Sequence, residues 1–513
     1  MTFQQLLDGA EVLSQSGNPA VSGVEYDSRR VRPGTVFVAM KGESSDGNRF
    51  IDQAIGAGAV AVVSDSAAET PRAGVAWAQV VHGRRALARL SANFYKRPAE
   101  RIANTGITGT NGKSTTAFLI ESILREAGRK TVLVGTIEYH VAGKVFPAPH
   151  TTPEALELNR LLSEGLGLGV TEAVMEVSSH ALEQQRVFGI PLDVAVFTNL
   201  TRDHLDYHGT MEDYFRAKRV LFEGCGTEPP RAAVLNIDDE YGRQLWKLSK
   251  KKSAVALSYG LSSGDFRAEA VEISPNGTRF QMVTPAGKIP MWSPLIGTVN
   301  VYNVLAAAAA GYARDCSTET IAKGILHLTS VPGRFERVDC AQPFTVVVDY
   351  AHTDDALRNL TTLARDFVAR AGVVDRVRGK VITLFGCGGD RDRAKRPLMG
   401  EAAGKGSDYV VLTSDNPRSE DPLAIMNDAV VGLQRSGAKY SMEPDRRKAI
   451  AFALRQAAAG DIVLLAGKGH EKVQVTREGT IPFDDVDVAR ENLEALGYEC
   501  NSVAKATIAG KTV

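Results

Sequence analysis

The chain predicts an α/β fold in three parts, and three observations carry that prediction. Its 513 residues exceed what one hydrophobic core organises. Apolar runs of strand length alternate with segments of helical period almost from end to end. Breaker clusters at Lys96-Arg97-Pro98 and Val331-Pro332-Gly333-Arg334 interrupt that alternation twice. The expected parts are a small N-terminal α/β domain (1–99), a central domain with a mostly parallel sheet and a P-loop (100–333), and a C-terminal Rossmann-like doubly wound sheet (334–513).

In the first part, the runs 34–40, 59–63 and 74–81 read as strands between helical segments. In the second, 102–107 reads as a strand. Leu119, Ile120, Ile123, Leu124 and Ala127 recur at helical spacing until Gly128 closes the helix. Strands at 131–135, 173–177 and 194–198 extend a parallel sheet. The stretch 264–291 alternates in polarity around Pro275-Asn276-Gly277 and Pro285-Ala286-Gly287, which predicts hairpins. Residues 303–312 form an alanine-rich helix expected to be buried. In the third part, 345–348, 381–385, 409–412 and 462–465 read as strands separated by helices. The loop Gly386-Cys387-Gly388-Gly389-Asp390-Arg391 lacks the full dinucleotide fingerprint and an acidic ribose partner, so it carries little weight for NAD. There are no tandem repeats.

Lys plus Arg and Asp plus Glu number 60 each, so no global field draws the chain to nucleic acid or to a membrane surface. Cys225, Cys316, Cys340, Cys387 and Cys500 show no metal or redox spacing, which predicts free thiols in a reducing cytoplasm. The N-terminus lacks the pattern of a secretory leader, and the apolar run 305–310 is too short to span a bilayer. A soluble cytoplasmic protein is expected.

The richest chemistry lies in Gly106-Ile107-Thr108-Gly109-Thr110-Asn111-Gly112-Lys113-Ser114-Thr115. Glycines let backbone amides converge on phosphate oxygens, a helix starting near Lys113 adds the positive end of its dipole, and Ser114 or Thr115 can hold Mg²⁺. The spacing departs from the common phosphate-loop pattern, which wants glycine where Ile107 stands. Glu176, near the carboxyl end of a strand, is placed to bind Mg²⁺ from across the loop. Asp203-His204-Leu205-Asp206-Tyr207-His208 packs two histidines and two aspartates into six residues. There His204 is the metal candidate, and His208 reads better as part of a hydrogen-bonded turn.

Gly109-Thr110-Asn111-Gly112-Lys113-Ser114, Glu176-Val177-Ser178-Ser179-His180 and Asp203-His204-Leu205-Asp206, in this order, resemble the Mur ligases of peptidoglycan synthesis. The likeness extends over nearly the whole chain. It implies ATP-dependent amide formation through an acyl phosphate, with a UDP-binding, an ATPase and an amino-acid-binding domain in succession. ATP contacts would be Gly109 to Thr115, with Asn303 near adenine and Arg334 and Asp349 reaching from the hinge. Thr115, Glu176, His204 and Lys218, the last as a carbamate, would hold Mg²⁺; an unmodified surface lysine is the plain alternative for Lys218.

The same resemblance assigns Tyr26, Ser28, Glu43, Ser44 and Ser45 to uridine, and Thr151, Thr152, Ser178, Gln184 and Arg186 to the muramoyl dipeptide. Arg391, Asp415-Asn416-Pro417-Arg418, Gly467 and Glu471 would bind the incoming amino acid. That amino acid is expected to be meso-diaminopimelate, because a guanidinium fork suits the carboxylate that distinguishes it from lysine. The substrates implied are ATP, UDP-N-acetylmuramoyl-L-Ala-D-Glu and meso-diaminopimelate, with a monomeric protein and no base assigned for the amine. One position departs from the family: Asp354 follows Thr353 where proline is usual, which puts the local loop in question. The rivals are folylpolyglutamate synthase, which needs neither the N-terminal module nor Asp415-Asn416-Pro417-Arg418, and a P-loop switch, which leaves the dipeptide set unexplained.

Overall fold

The structure is a computed structural model that describes residues 1–42, 45–375 and 379–500. Three large sheets and two small antiparallel sheets organise the described residues. The first runs Val12–Ser16, Ala76–Val80, Ala61–Ser64, Thr35–Ala39, Gly23–Glu25, parallel except at the first pairing. The runs expected at 34–40, 59–63 and 74–81 are its inner strands, each largely buried. Its two edge strands escaped the sequence reading because four of the five residues of Val12–Ser16 are exposed and Gly23–Glu25 spans three residues, so neither shows an apolar run.

The central sheet has eight strands in the order Val255–Tyr259, Ala232–Asn236, Val194–Phe197, Ala103–Thr108, Glu172–Glu176, Thr131–Val134, Glu138–Val141, Lys144–Pro147. Six are parallel and the last two form an antiparallel hairpin edge. Apolar clusters fill both faces. Against one face, Thr298–Ala313 packs on Lys113–Glu126 through the fully buried Ala306 to Ala310. A Cβ at Gly311 would lie 2.9 Å from Ile123 Cγ2, so glycine is what admits this close approach. The hairpins expected at 264–291 are the three-stranded antiparallel sheet Arg267–Ser274, Gly277–Thr284, Gly287–Ser293.

The third large sheet runs Glu336–Val338, Thr345–Asp349, Ile462–Ala466, Val381–Phe385, Tyr409–Thr413, Tyr440–Glu443, parallel but for its first strand. With apolar clusters on both faces it is doubly wound. Free thiols were expected at all five cysteines; Cys340 and Cys500 are instead bonded as a disulfide, 160 residues apart in sequence. The fold brings an end of one sheet to the chain's last described residue, a proximity that cysteine spacing cannot encode. Cys225, Cys316 and Cys387 are free and buried.

Candidate active site

Loops leaving the carboxyl ends of the central and third sheets face each other, and most of the residues with chemistry lie on them. Ile107 sits inside the strand Ala103–Thr108, paired with Glu176 on one side and Val196 on the other. The phosphate turn is therefore confined to 109–112, which explains the missing glycine at 107. Gly109 (φ +151°) passes so close to the next loop that a Cβ would lie 1.9 Å from Thr198 Oγ1. Gly112 (φ +87°) begins the helix Lys113–Glu126 without a side-chain cap, leaving its first N–H groups for a ligand. Thr198 Oγ1 donates to the Asn111 carbonyl (2.6 Å), and Asn111 N donates to Asn199 Oδ1 (2.9 Å), so the loop's shape is held by its neighbour. Lys113 Nζ folds back on the carbonyls of Gly109 and Thr110, both at 2.9 Å. Burial lowers its pKa, against the opposing pull of Glu176.

Glu176 is fully buried and accepts from Ser114 Oγ (3.1 Å), Thr136 N (2.9 Å) and Thr136 Oγ1 (2.9 Å). The hydroxyl facing it is that of Ser114; Thr115 stands one helical step further round. Among the described residues no cluster of three or more His, Cys, Asp or Glu is assembled as a metal cage. The donors fit Mg²⁺ nonetheless. A carboxylate and a hydroxyl at the mouth of a phosphate loop are the hard oxygen ligands that Mg²⁺ takes beside phosphate and water.

Lys218 is no surface residue. It is 1% exposed, donates to the Gly109 carbonyl at 3.0 Å and lies 4.6 Å from the centre of the Tyr214 ring. Burial, reinforced by Lys113, pushes its amine well below the usual lysine range. His204 adopts φ +54° with its ring edge-on to His180 at 4.9 Å, and burial lowers it to about 3 despite the adjacent Asp203. His208 Nε2 is bonded to Ser179 Oγ at 2.9 Å, tying the histidine-rich turn to the neighbouring short helix.

The residues assigned to the dipeptide converge beside Glu176. Thr152 Oγ1 donates to the Glu176 carbonyl (2.8 Å) and accepts from Ser178 N (3.2 Å). Arg186 donates to the Thr152 carbonyl (2.8 Å) and to Gln184 Oε1 (2.7 Å), and Thr151 Oγ1 lies 3.1 Å from Thr136 Oγ1, whose single proton goes to Glu176. Of the uridine set, Tyr26 donates to Glu157 Oε2 (3.2 Å) on the helix that follows Thr152, and Arg30 pairs with the same carboxylate at 3.1 Å. Ser28 donates to Gln53 within its own module (3.1 Å), and Ser45 is exposed. Glu43 and Ser44 lie outside the described residues.

In the third module, three loops build one pocket. Arg418, at φ +53°, donates to the carbonyls of Gly389 (2.8 Å) and Asn416 (3.4 Å), while Arg391 donates to the Asp390 carbonyl (3.0 Å). Burial and the charge of Arg391 lower the Arg418 pKa. Two cations thus stand together, hydrogen-bonded to backbone carbonyls, a natural receptor for carboxylates. Asn416 Nδ2 donates to Glu471 Oε2 at 2.8 Å. Gly467 (φ +110°) turns the chain beside Asp415. Behind them, the wholly buried Arg446 donates to Asp485 (2.6 and 2.8 Å), to the Ser414 carbonyl (3.4 Å) and to the Ala466 carbonyl (3.0 Å). It clamps the two strand ends from which Asp415 and Gly467 emerge.

The two sheets meet through side chains. Arg334 donates to Ser114 Oγ (3.3 Å) and lies over Tyr350, 4.6 Å from its ring centre. Asn111 Nδ2 donates to Asp355 Oδ2 (3.2 Å). The buried Asp203 lies 3.4 Å from His204, 3.9 Å from His352 and 3.9 Å from Lys395, and Arg202 pairs with Asp392 at 3.5 Å. Burial opposes the charge of Asp203, yet His204, His352 and Lys395 hold it down to about 2. Asp349 accepts from Phe335 N (2.7 Å) and Ala351 N (2.8 Å), fixing the hinge. Asn303 Oδ1 faces the phosphate loop: a Cβ on Gly112 would come within 2.5 Å of it. Asp354 opens the helix Asp354–Asp375, with Thr353 Oγ1 accepting from Ala356 N (3.1 Å). An acid in a first helical turn complements the dipole, so aspartate suits the position where the family places proline.

Lys468, Arg446, Thr136, Lys395 and His470 were not singled out from the sequence. Gly467-Lys468-Gly469-His470-Glu471 was itself a visible signal for two of them.

Residues 107–311 match the Mur ligase middle domain, 333–469 the Mur ligase glutamate ligase domain, and 20–95 the Mur ligase family catalytic domain. The chain is 55% identical to the UDP-N-acetylmuramoyl-L-alanyl-D-glutamate--2,6-diaminopimelate ligase of Solibacter usitatus, over 93% of this chain and 94% of that one. It is 46% identical to the ligase of the same name from Geobacillus thermodenitrificans, over 93% and 95%. A solved structure of a diaminopimelate ligase of that name superposes with a TM-score of 0.66 at 34% identity, covering 97% of this chain and 99% of its own. With its phosphate loop, buried Glu176 and two facing sheet edges in that setting, the chain belongs to the Mur ligase family.

Proposed function

We propose that the protein is an ATP-dependent amide ligase that joins meso-diaminopimelate to UDP-N-acetylmuramoyl-L-Ala-D-Glu, giving the UDP-muramoyl tripeptide, ADP and phosphate. One observation carries this reading: a phosphate loop and a pocket with paired arginines beside a glutamate face each other across one cleft.

A carboxylate is a poor electrophile. The D-glutamate carboxylate of the nucleotide substrate attacks the γ-phosphorus, and the bond to the ADP oxygen breaks. In the acyl phosphate that results, phosphate is a competent leaving group. The amine of diaminopimelate then attacks the acyl carbon, phosphate departs with the bonding pair, and the amine's proton passes to the surroundings. Lys113 and the open N–H groups at 112–115 stabilise the transferring phosphoryl group, and Arg334 adds a cation from the hinge side. Glu176, with Ser114 or Thr115, His204 and Lys218 as its carbamate, would hold Mg²⁺, which supplies charge neutralisation on phosphate.

Lys218 is suited to that modification. Its depressed pKa favours the neutral amine, which adds to CO₂ with release of one proton, and the resulting anion lies beside Lys113. Thr151, Thr152, Ser178, Gln184 and Arg186 take the dipeptide, and Tyr26, Ser28 and 43–45 the uridine. Arg391, Arg418 and Glu471 orient the diaminopimelate head. The three modules, 1–99, 100–333 and 334–513, divide uridine, ATP and amino-acid binding among them. A monomer in the cytoplasm suits these small-molecule substrates; among the described residues no helix is long and apolar enough to cross a membrane.

The test is phosphate release with Mg-ATP and UDP-N-acetylmuramoyl-L-Ala-D-Glu, adding meso-diaminopimelate or L-lysine, with mass detection of product. A tripeptide with diaminopimelate alone is expected. Turnover with lysine would keep the ligase and overturn the choice of amino acid, and turnover with folate substrates alone would overturn both.

A further inference from the structure

The loop 467–471 holds a lysine that the assignments above do not use. Lys468 is 0% exposed, and a buried ammonium is tolerated only where acceptors surround it. Its Nζ donates to Asn416 Oδ1 and to Glu471 Oε2, each at 3.1 Å, and lies 3.6 Å from Asp415 Oδ1. Asn416 Nδ2 donates to the same oxygen of Glu471 at 2.8 Å, closing a ring of three side chains, and Val475 N donates to Asn416 Oδ1 at 2.9 Å. Asp415 is 8% exposed, and its Oδ1, though enclosed, accepts no hydrogen bond. Buried carboxylate oxygens in proteins are rarely left so.

The charges decide what this cluster receives. Asp415 and Glu471 bring two negative charges and Lys468 one positive, leaving one negative charge beside the cationic pair Arg391 and Arg418. That is the complement of an amino-acid head with one ammonium flanked by carboxylate. Asn416 Nδ2 and Lys468 Nζ both donate to Oε2 of Glu471, which leaves Oε1 for a ligand.

We propose that Lys468 is the positioning residue of the amino-acid pocket. It holds Asp415, Asn416 and Glu471 as one unit and cancels one of their two carboxylate charges, so that the pocket accepts a single ammonium. The inference rests on assigning these loops to the incoming amino acid. A lysine serving only the fold would affect all three substrates alike, whereas one acting through this pocket affects the amino acid alone.

The experiment uses the full chain with Lys468→Met and Lys468→Gln, varying each substrate in turn at saturating levels of the other two. Losing one or two charge-assisted hydrogen bonds raises KM for meso-diaminopimelate about ten- to a hundredfold, with KM for ATP and nucleotide changing less than about twofold. Lys468→Gln shows the smaller rise, because its amide still donates to Glu471. An unchanged amino-acid KM in Lys468→Met, a rise shared equally by all three substrates, or loss of ATP binding in both variants overturns the proposal. Wild type is run alongside. If it takes another amino acid instead of meso-diaminopimelate, the diaminopimelate assignment has failed, and Lys468 is judged by the same ratio of KM values with that amino acid.

Discussion

The phosphate loop and the amino-acid pocket face one another but are built in opposite ways. The first comes from one stretch, 109–115, shaped by glycine dihedrals and held on backbone carbonyls. The second draws on 388–391, 415–418 and 467–471, and its geometry is set by side chains bonding across loops. A ligand whose charge is the same in every reaction can be met by backbone. A ligand that must be told from its relatives needs side chains, since those can be varied one at a time.

Each region also has a buried ionic support, and breaking these supports tests the contrast. Asp485→Ala leaves Arg446 uncompensated behind the amino-acid loops, where both partners are 0% exposed. A loss of about 3–5 kcal/mol is expected in denaturant unfolding. If the two strand ends are clamped independently of this pair, stability stays near wild type. Lys113→Ala removes a donor to the transferring group, so turnover falls about 10²–10³-fold while meso-diaminopimelate binding measured calorimetrically is retained. Equal loss of both would mean that the regions are not separable.

Arg418→Lys keeps the charge but loses the fork, and KM for meso-diaminopimelate rises about tenfold or more with ATP binding spared. An unchanged KM would remove the reason for choosing this amino acid. The smallest effect concerns His140, which props the phosphate-loop helix by bonding Glu121 (2.7 Å) and Glu138 (2.9 Å). Burial disfavours its charge, but the two carboxylates raise its pKa from 6.5 to about 9. Its contribution is therefore full below pH 6.5 and lost as pH rises through about 9. The unfolding temperature of wild type should fall toward that of His140→Gln across this window; parallel curves would show that the pair is not ionic.

The sequence was most legible where function is local. The turn at 109–112, the strand bearing Glu176 and the hairpins at 264–291 each declare themselves through glycine placement or residue period. It was least legible at sheet edges such as Val12–Ser16, where four exposed residues erase the apolar run, and at Cys340 and Cys500, whose 160-residue separation hides a contact. For Lys218, nothing in Phe215-Arg216-Ala217-Lys218-Arg219 distinguishes a solvated lysine from one buried beneath the phosphate loop.

What the chain determines by itself is the alternation of strands and helices, the backbone freedom at the phosphate turn and the inventory of charged side chains. Tertiary structure alone decided which charges meet: Lys218 under Gly109, Lys468 among Asp415, Asn416 and Glu471, and Asp203 between His204, His352 and Lys395. The reason is physical. Period and propensity act over neighbouring residues, while the state and role of an ionisable group depend on its burial and on partners that the fold brings from far along the chain.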